Sequence, residues 1–105
     1  MGVVTNQTRW VGVLPAASER LSTATQTQVS VGVASTTILA ANSARVSFLV
    51  RNISSVDVYV YLGAIATLLN GVLLEKGDSI FGDCYTGIIT GIVAAGTATV
   101  SVIEV

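Results

Sequence analysis

The residues that could do chemistry in this chain are few and mostly isolated. The sequence contains no His and a single Cys, Cys84, so Ser-His-Asp and Cys-His catalysis are excluded. Activation of the Cys84 thiol would need a neighbouring cation, and Lys76 is the nearest one in the sequence. We therefore expect Cys84 to be a buried, inert thiol, and it has no partner for a disulfide within the chain.

Two carboxylates, Asp78 and Asp83, flank the sequence SIFG. Such a pair could in principle serve a glycosidase or contribute to a Ca²⁺ site. The surrounding residues lack the dense Asp, Asn and Gly loop typical of calcium sites, so we expect a solvated turn before a strand. The sequence thus predicts a non-enzymatic protein with no catalytic residue, no metal and no cofactor.

Composition limits the class of partner. Hydrophobic residues make up 51% of the 105 residues and charged residues 10%, against about 25% charged in an average globular protein. A single domain of this size with so few charges is expected to have part of its surface covered by protein, as in a homo-oligomer. The net charge of −1 gives no attraction to phosphate backbones, so we expect no nucleic-acid partner.

Residues 84–103 carry no charge, a length that could span a bilayer as a helix. Scattered Thr and Ser residues and β-branched side chains instead favour two strands, so we expect no membrane contact. The amino-terminal sequence has no basic segment followed by an apolar stretch, and we read no secretory signal there. The sequons at Asn6 and Asn52 are therefore expected to be unmodified.

The elements that organise these residues are an arm and a β-rich body. Residues 1–27 form a polar N-terminal arm with one apolar island, in which Trp10, Val11, Val13 and Leu14 precede Pro15. Residues 28–105 form the domain, with strand patterns every 8 to 12 residues, as in a sandwich or barrel. The predicted strands cover residues 29–33, 36–40, 45–52, 57–62, 72–74, 79–81, 87–94 and 97–105. We predict an all-β fold, a small antiparallel β-sandwich or jelly-roll-like barrel with an extended N-terminal arm.

Residues 45–52 and 57–62 alternate strongly between apolar and other side chains, which predicts a hairpin with one face in the core. The pairs expected on its other face are Arg51 with Asp57, Leu49 with Tyr59 and Ser47 with Tyr61. That face would be half aromatic. Asn70-Gly71 and Lys76-Gly77-Asp78 are expected to form turns in which a positive φ costs little, and Gly96 is expected to close a last hairpin.

The strand-rich region, residues 29–105, has a set of framework features. These are Leu39-Ala40-Ala41-Asn42, Arg45 opening a strand that finishes in Arg51-Asn52, a Tyr-rich strand, a Leu-rich strand before Gly77, and a closing AGTATVSVIEV. With these features the region resembles a small β-sandwich module that recurs in structural proteins of tailed bacteriophages, most closely the head decoration or cement proteins.

The resemblance implies a virion protein on the outer capsid surface, made in the host cytoplasm, that binds the major capsid protein and stabilises the shell by bridging capsomers, often as a homotrimer. A tail, baseplate or fibre adaptor would use the same sandwich. A lectin-like glycan-binding module is the third hypothesis, because Trp10, Tyr59, Tyr61 and Tyr85 could stack on sugars. The predicted partner-binding residues are Trp10, Val11, Val13, Leu14, Tyr59 and Tyr61.

Overall fold

The computed structural model describes residues 23–105, and these residues form strands and no helix. The eight strands are β1 (Thr25–Val31), β2 (Thr36–Leu39), β3 (Ser47–Asn52), β4 (Val58–Tyr61), β5 (Val72–Leu74), β6 (Ser79–Asp83), β7 (Ile89–Ile92) and β8 (Ala98–Glu104). The predicted arm, apart from its last residues, and its apolar island lie outside the described residues.

The strands form two antiparallel four-stranded sheets, β1-β8-β3-β6 and β2-β7-β4-β5. In this order, strands that follow each other in the chain lie in opposite sheets, except for β4 and β5. Eight strands exchanged between two sheets in this way make a jelly roll. The predicted fold class, an antiparallel β-sandwich of the jelly-roll type, is confirmed.

The core lies between the sheets and is built by the period-2 alternation of the strands. In β3 the side chains of Phe48 and Val50 are buried, whereas those of Ser47 and Leu49 point outward and are half-buried. Burying one such apolar side chain stabilises the fold by about 1.5–3 kcal/mol. The buried apolar cluster contains Val31, Ile38, Phe48, Val50, Val58, Val60, Leu74, Ile89, Val93, Ala98, Val100 and Val102.

All eight predicted strands are present, with shifted ends. β1 begins at Thr25, four residues before the predicted start and inside the predicted arm. The strand predicted at residues 87–94 is shortened to Ile89–Ile92. Local alternation therefore located the strands correctly, and the ends depend on where a partner strand stops.

The predicted hairpin between residues 45–52 and 57–62 is wrong. β3 pairs with β6 and β8, whereas β4 pairs with β5 and β7 in the other sheet. The pairs Arg51–Asp57, Leu49–Tyr59 and Ser47–Tyr61 are therefore not formed. Leu49 lies opposite Phe81 and Ile103 on the outer face of one sheet, and Tyr59 lies on the outer face of the other.

Asn52, the last residue of β3, explains why the chain changes sheet here. Its buried side chain donates to the carbonyls of Val56 and Leu74, at 2.7 Å and 2.9 Å, and accepts from the backbone N–H of Ser54 at 2.9 Å. The bonds to Ser54 and Val56 satisfy backbone groups of the connection, and the bond to Leu74 ties the end of β3 to β5 in the other sheet. The burial of Asn52 also leaves its sequon inaccessible in the folded domain.

The last predicted hairpin is also corrected. β7 and β8 lie in different sheets, so the connection at residues 93–97 crosses the sandwich. Gly96 takes a φ of +78° there, and Gly77 takes +86° between β5 and β6. The sequence thus identified the left-handed glycines Gly77 and Gly96 correctly, but the φ of Gly71 is not positive. It also did not show that the chain crosses the sandwich after Gly96.

Arg45 closes one end of the sandwich. Its guanidinium donates to Glu104 Oε2 at 2.7 Å and to the carbonyls of Ala40, Tyr85 and Gly87 at 2.6, 3.0 and 2.9 Å. Glu104 belongs to one sheet, whereas Ala40 follows β2 and Gly87 precedes β7 in the other. The Arg45 side chain has no exposed surface, so this end is held by charge-assisted hydrogen bonds inside the protein.

Candidate partner-binding surface

Tyr59 and Tyr61 lie where alternation places them, on the outward side of β4. Val58 and Val60 fill the core, while Tyr59 and Tyr61 are half-buried on the outer face of the sheet. Cross-strand register sets Tyr59 between Ile92 and Leu73. An apolar row therefore crosses three strands on this face.

The connection between β4 and β5, residues 62–71, runs back over the same face. The Gly63 carbonyl accepts from Thr90 Oγ1 at 2.8 Å, and the Ala66 N–H donates to Ser35 Oγ at 2.9 Å. Ala66 is buried, yet Leu69 is 98% exposed. Hydrogen bonds thus fix the loop on the sheet, while some of its apolar side chains point into water.

This loop and β5 hold most of the exposed apolar residues. Of the nine large hydrophobic residues that are exposed within residues 23–105, six lie between residues 62 and 73: Leu62, Ile65, Leu68, Leu69, Val72 and Leu73. Residues 58–74 contain no charged side chain. We refer to the outer face of β4, the exposed side chains of β5 and residues 62–71 together as the β4–β5 surface. Clusters of this kind on soluble domains mark interaction sites.

The free energy available from covering this surface is moderate. At about 1.5–3 kcal/mol for each fully buried Leu or Ile side chain, the six partly exposed residues would contribute roughly 5–10 kcal/mol. Association costs an estimated 4–15 kcal/mol. A single copy would therefore bind weakly, and several linked copies would bind far better because their contacts act together.

An open pocket of about 300 Å³ adjoins Tyr59. It is lined by Ser55, Val56, Asp57, Tyr59, Ala94 and Ala95. One aromatic ring beside one carboxylate is an arrangement that can hold a small polar ligand, with the ring as a platform and the carboxylate as an acceptor.

The other sheet has a second apolar row on its outer face. Register aligns Ile103, Leu49 and Phe81 across β8, β3 and β6, and Phe81 is 64% exposed on the edge strand. Here Arg51 and Asp83 lie on the same outer face. Charged neighbours distinguish this row from the β4–β5 surface and make it a suitable control site.

Cys84 is exposed, which corrects the prediction of a buried thiol. It follows β6 with a φ of +64°, a conformation that a residue other than glycine seldom adopts. The turn directs the side chain outward, whereas the sequence analysis expected an inert thiol in the core. Of the two carboxylates that flank SIFG, Asp78 serves structure, because its Oδ2 accepts from the Glu75 N–H at 3.0 Å.

Within residues 23–105, no three His, Cys, Asp or Glu side chains converge where they could hold a metal ion. The same part of the chain contains no helix long and apolar enough to cross a membrane.

Of the six predicted partner-binding residues, Tyr59 and Tyr61 lie together on the outer face of β4. Trp10, Val11, Val13 and Leu14 lie outside the described residues. Sequence reasoning missed the loop leucines, although the charge-free run over residues 58–74 was visible. No family model, curated protein or solved structure matches this chain.

Proposed function

We propose that this protein is a non-enzymatic virion structural protein, a decoration or cement protein that binds the outer surface of a phage head. The main support is the β4–β5 surface, an uncharged apolar area on a rigid sandwich. Jelly rolls occur in viral capsid proteins, and also in lectins and cupins, so the fold is compatible with this role without selecting it. The sequence resemblance described above points to the same class.

Stabilisation would follow from mass action. A protein that binds the assembled shell more tightly than its separated subunits lowers the free energy of the shell by RT ln(1 + [L]/Kd) for each site. Because one copy of the β4–β5 surface offers roughly 5–10 kcal/mol before association costs, a homotrimer that contacts several capsomers at once is the favoured form. The Arg45 network suits this role, since a stiff sandwich loses little entropy when it binds.

Cosedimentation with purified heads stripped of the native protein tests the proposal. The native protein should sediment with the heads and raise the temperature at which they release DNA. Tyr59→Asp would place a charge in the middle of the β4–β5 surface and should abolish most binding. Phe81→Asp places the same charge on the edge strand of the other sheet and serves as the matched control. Absence of the native protein from the head pellet would contradict the proposal.

The arm provides a second test of the same role. We expect a variant lacking residues 1–22 to bind heads far more weakly, because the island at Trp10 offers a large aromatic anchor, and such anchors often cost 2 kcal/mol or more when truncated. Trp10→Ala should lose part of the binding. Full binding by the truncated variant would assign the whole contact to the sandwich.

The same protein and phage particles distinguish two alternative functions. A tail, baseplate or fibre adaptor would use the same surface, and labelled protein would then decorate tails in electron micrographs. A glycan-binding module is favoured by the pocket beside Tyr59 with Asp57 on its rim. Binding on a glycan array that is lost in Asp57→Ala, together with no binding to heads, would select that function.

A further inference from the structure

The edge strand β5 is only three residues long but lacks the other features by which proteins protect an exposed sheet edge. Leu73 lies on the outer face beside Tyr59, and Val72, paired with Val60, lies on the inner face. Val72 is nevertheless 53% exposed, so the apolar interior is open at this edge. β5 has no charge, no proline and no register shift, which are the usual protections against strand addition.

The other three edge strands differ from β5. β2 has a register shift between Thr37 and Leu39. β1 consists largely of Thr and Gln, and β6 ends in Asp83. β6 also has Phe81 outside and Ile80 inside, but it carries Ser79 and Asp83 as well. Within residues 23–105, β5 is thus the edge strand whose residues are all apolar, and a strand added there would contact apolar side chains on both faces.

Residues 10–14, with the sequence WVGVL, have the composition that such a position requires. In an extended conformation Trp10 and Leu14 would share one face and Val11 and Val13 the other. A strand with one face in water would alternate apolar with polar residues. A segment that is apolar on both faces is therefore better suited to the open edge of β5 than to a strand position with one face in water.

The length of the connecting chain allows the island to reach β5 of its own molecule. β1 and β5 start at the same end of the sandwich, the end that holds Arg45. Thr25 of β1 pairs with Glu104, which accepts a hydrogen bond from Arg45. β5 begins beside the end of β4, and β4 ends beside the start of β7 at that same end. The distance from the start of β1 to a strand position just beyond β5 is four strand spacings of about 4.8 Å combined with a sheet separation of about 10 Å, or roughly 22 Å. The eleven residue steps from Leu14 to Thr25 extend to about 36 Å.

The tether also favours the molecule's own island over that of another copy. A segment joined by a short flexible linker has an effective concentration in the millimolar range. At micromolar protein concentration, the island of the same molecule would therefore fill the site before that of another copy.

We propose that residues 10–14 pair with β5 of the same molecule and form a fifth strand of the sheet β2-β7-β4-β5. The added strand covers Val72 and extends the row of Ile92, Tyr59 and Leu73. The inference deepens the proposed function, because it brings the apolar island and the tyrosines of β4 onto one continuous surface for the capsid. It rests on the geometry of the sandwich, and its test requires no capsid.

Trp10 is the only tryptophan of the chain, so its fluorescence reports on the island in the full-length protein. We expect emission at shorter wavelength than that of a tryptophan in water, and protection from acrylamide. Leu73→Asp should shift the emission to longer wavelength and raise the quenching constant severalfold. Phe81→Asp should leave both values unchanged.

Circular dichroism establishes that each variant retains its β structure. Leu73→Ser, which removes the apolar side chain from the same position of β5 without adding a charge, replaces Leu73→Asp if that variant does not fold, and should also raise quenching. Water-like emission from the native protein would overturn the proposal, as would native-like emission from a folded Leu73→Asp, or from Leu73→Ser where it replaces that variant. Loss of the shift on dilution from micromolar to nanomolar protein would overturn pairing within one molecule.

Discussion

Replacing Arg45 with alanine would test whether its buried guanidinium holds the two sheets together. The side chain donates four hydrogen bonds of 2.6, 2.7, 2.9 and 3.0 Å, to Ala40, Glu104, Gly87 and Tyr85. The alanine variant would leave three carbonyls and one carboxylate without this donor. Because these groups belong to both sheets, the loss should appear in the global free energy of unfolding.

The magnitude follows from two terms. Leaving a buried acceptor unsatisfied costs about 1–3 kcal/mol, and removing one partner of a buried ion pair costs about 3–5 kcal/mol. The Glu104 side chain is 17% exposed, so water relieves part of the penalty. At the lower end of both ranges, and with water reaching part of the site, we expect a total loss of at least about 4 kcal/mol, comparable with the whole stability of a marginal domain, which is about 5 kcal/mol. The melting temperature should fall by at least about 16 °C.

Urea unfolding followed by circular dichroism, at one fixed protein concentration, measures this loss. Two variants calibrate it. Arg45→Lys keeps the charge but replaces the guanidinium fork with three donors on one nitrogen, and should lose about half as much. Glu104→Gln keeps an acceptor and should lose least. A loss below about 1 kcal/mol for Arg45→Ala, the size of an average substitution, would refute the reasoning.

Three other predictions concern the core, the assembly and bound ions. Asn52→Ala should lower the free energy of unfolding in urea by about 2–4 kcal/mol, because the carbonyls of Val56 and Leu74 lose their donor; a change within about 0.5 kcal/mol would contradict this. Light scattering at micromolar concentration should give a homo-oligomer, with a trimer expected, and a mass of 10.8 kDa would refute it. Treatment with a chelator should leave the melting temperature unchanged, whereas a fall of more than about 5 °C, or about 1 kcal/mol, would reveal a bound ion.

The sequence predicted the strands well because alternation and turn residues are local. Val58, Val60, Tyr59 and Tyr61 identify their two faces without knowledge of any partner strand. The pairing of β3 with β4 failed because alternation states which side of a strand is buried, not which strand is its neighbour. A five-residue connection suits either a hairpin or a crossing, and the hydrogen bonds of Asn52 to Val56 and Leu74 favour the crossing.

The burial of Arg45 and the exposure of Cys84 could not be predicted from the neighbouring sequence. A charged residue before a strand gave no indication of burial, because its ion-pair partner Glu104 lies 59 residues away in the sequence. An apolar thiol suggested burial, but the left-handed turn at Cys84 directs it to solvent. The tyrosines of the candidate surface were identified for a hairpin face that does not exist, and they remain candidates because both are outward on β4.

The sheet order also affects how the protein folds as it is made. β7 and β8 are central strands of their sheets, β7 between β2 and β4 and β8 between β1 and β3. While the ribosome still holds residues 89–104, β1 and β2 have no partner, and the nascent chain can form only the β3–β6 and β4–β5 pairs. The sandwich can therefore close only after β8 has left the ribosome, on the millisecond-to-second scale of folds dominated by distant contacts. Until then its strand edges stay open to other chains, and a ribosome that stalls before residue 89 leaves a product that cannot fold.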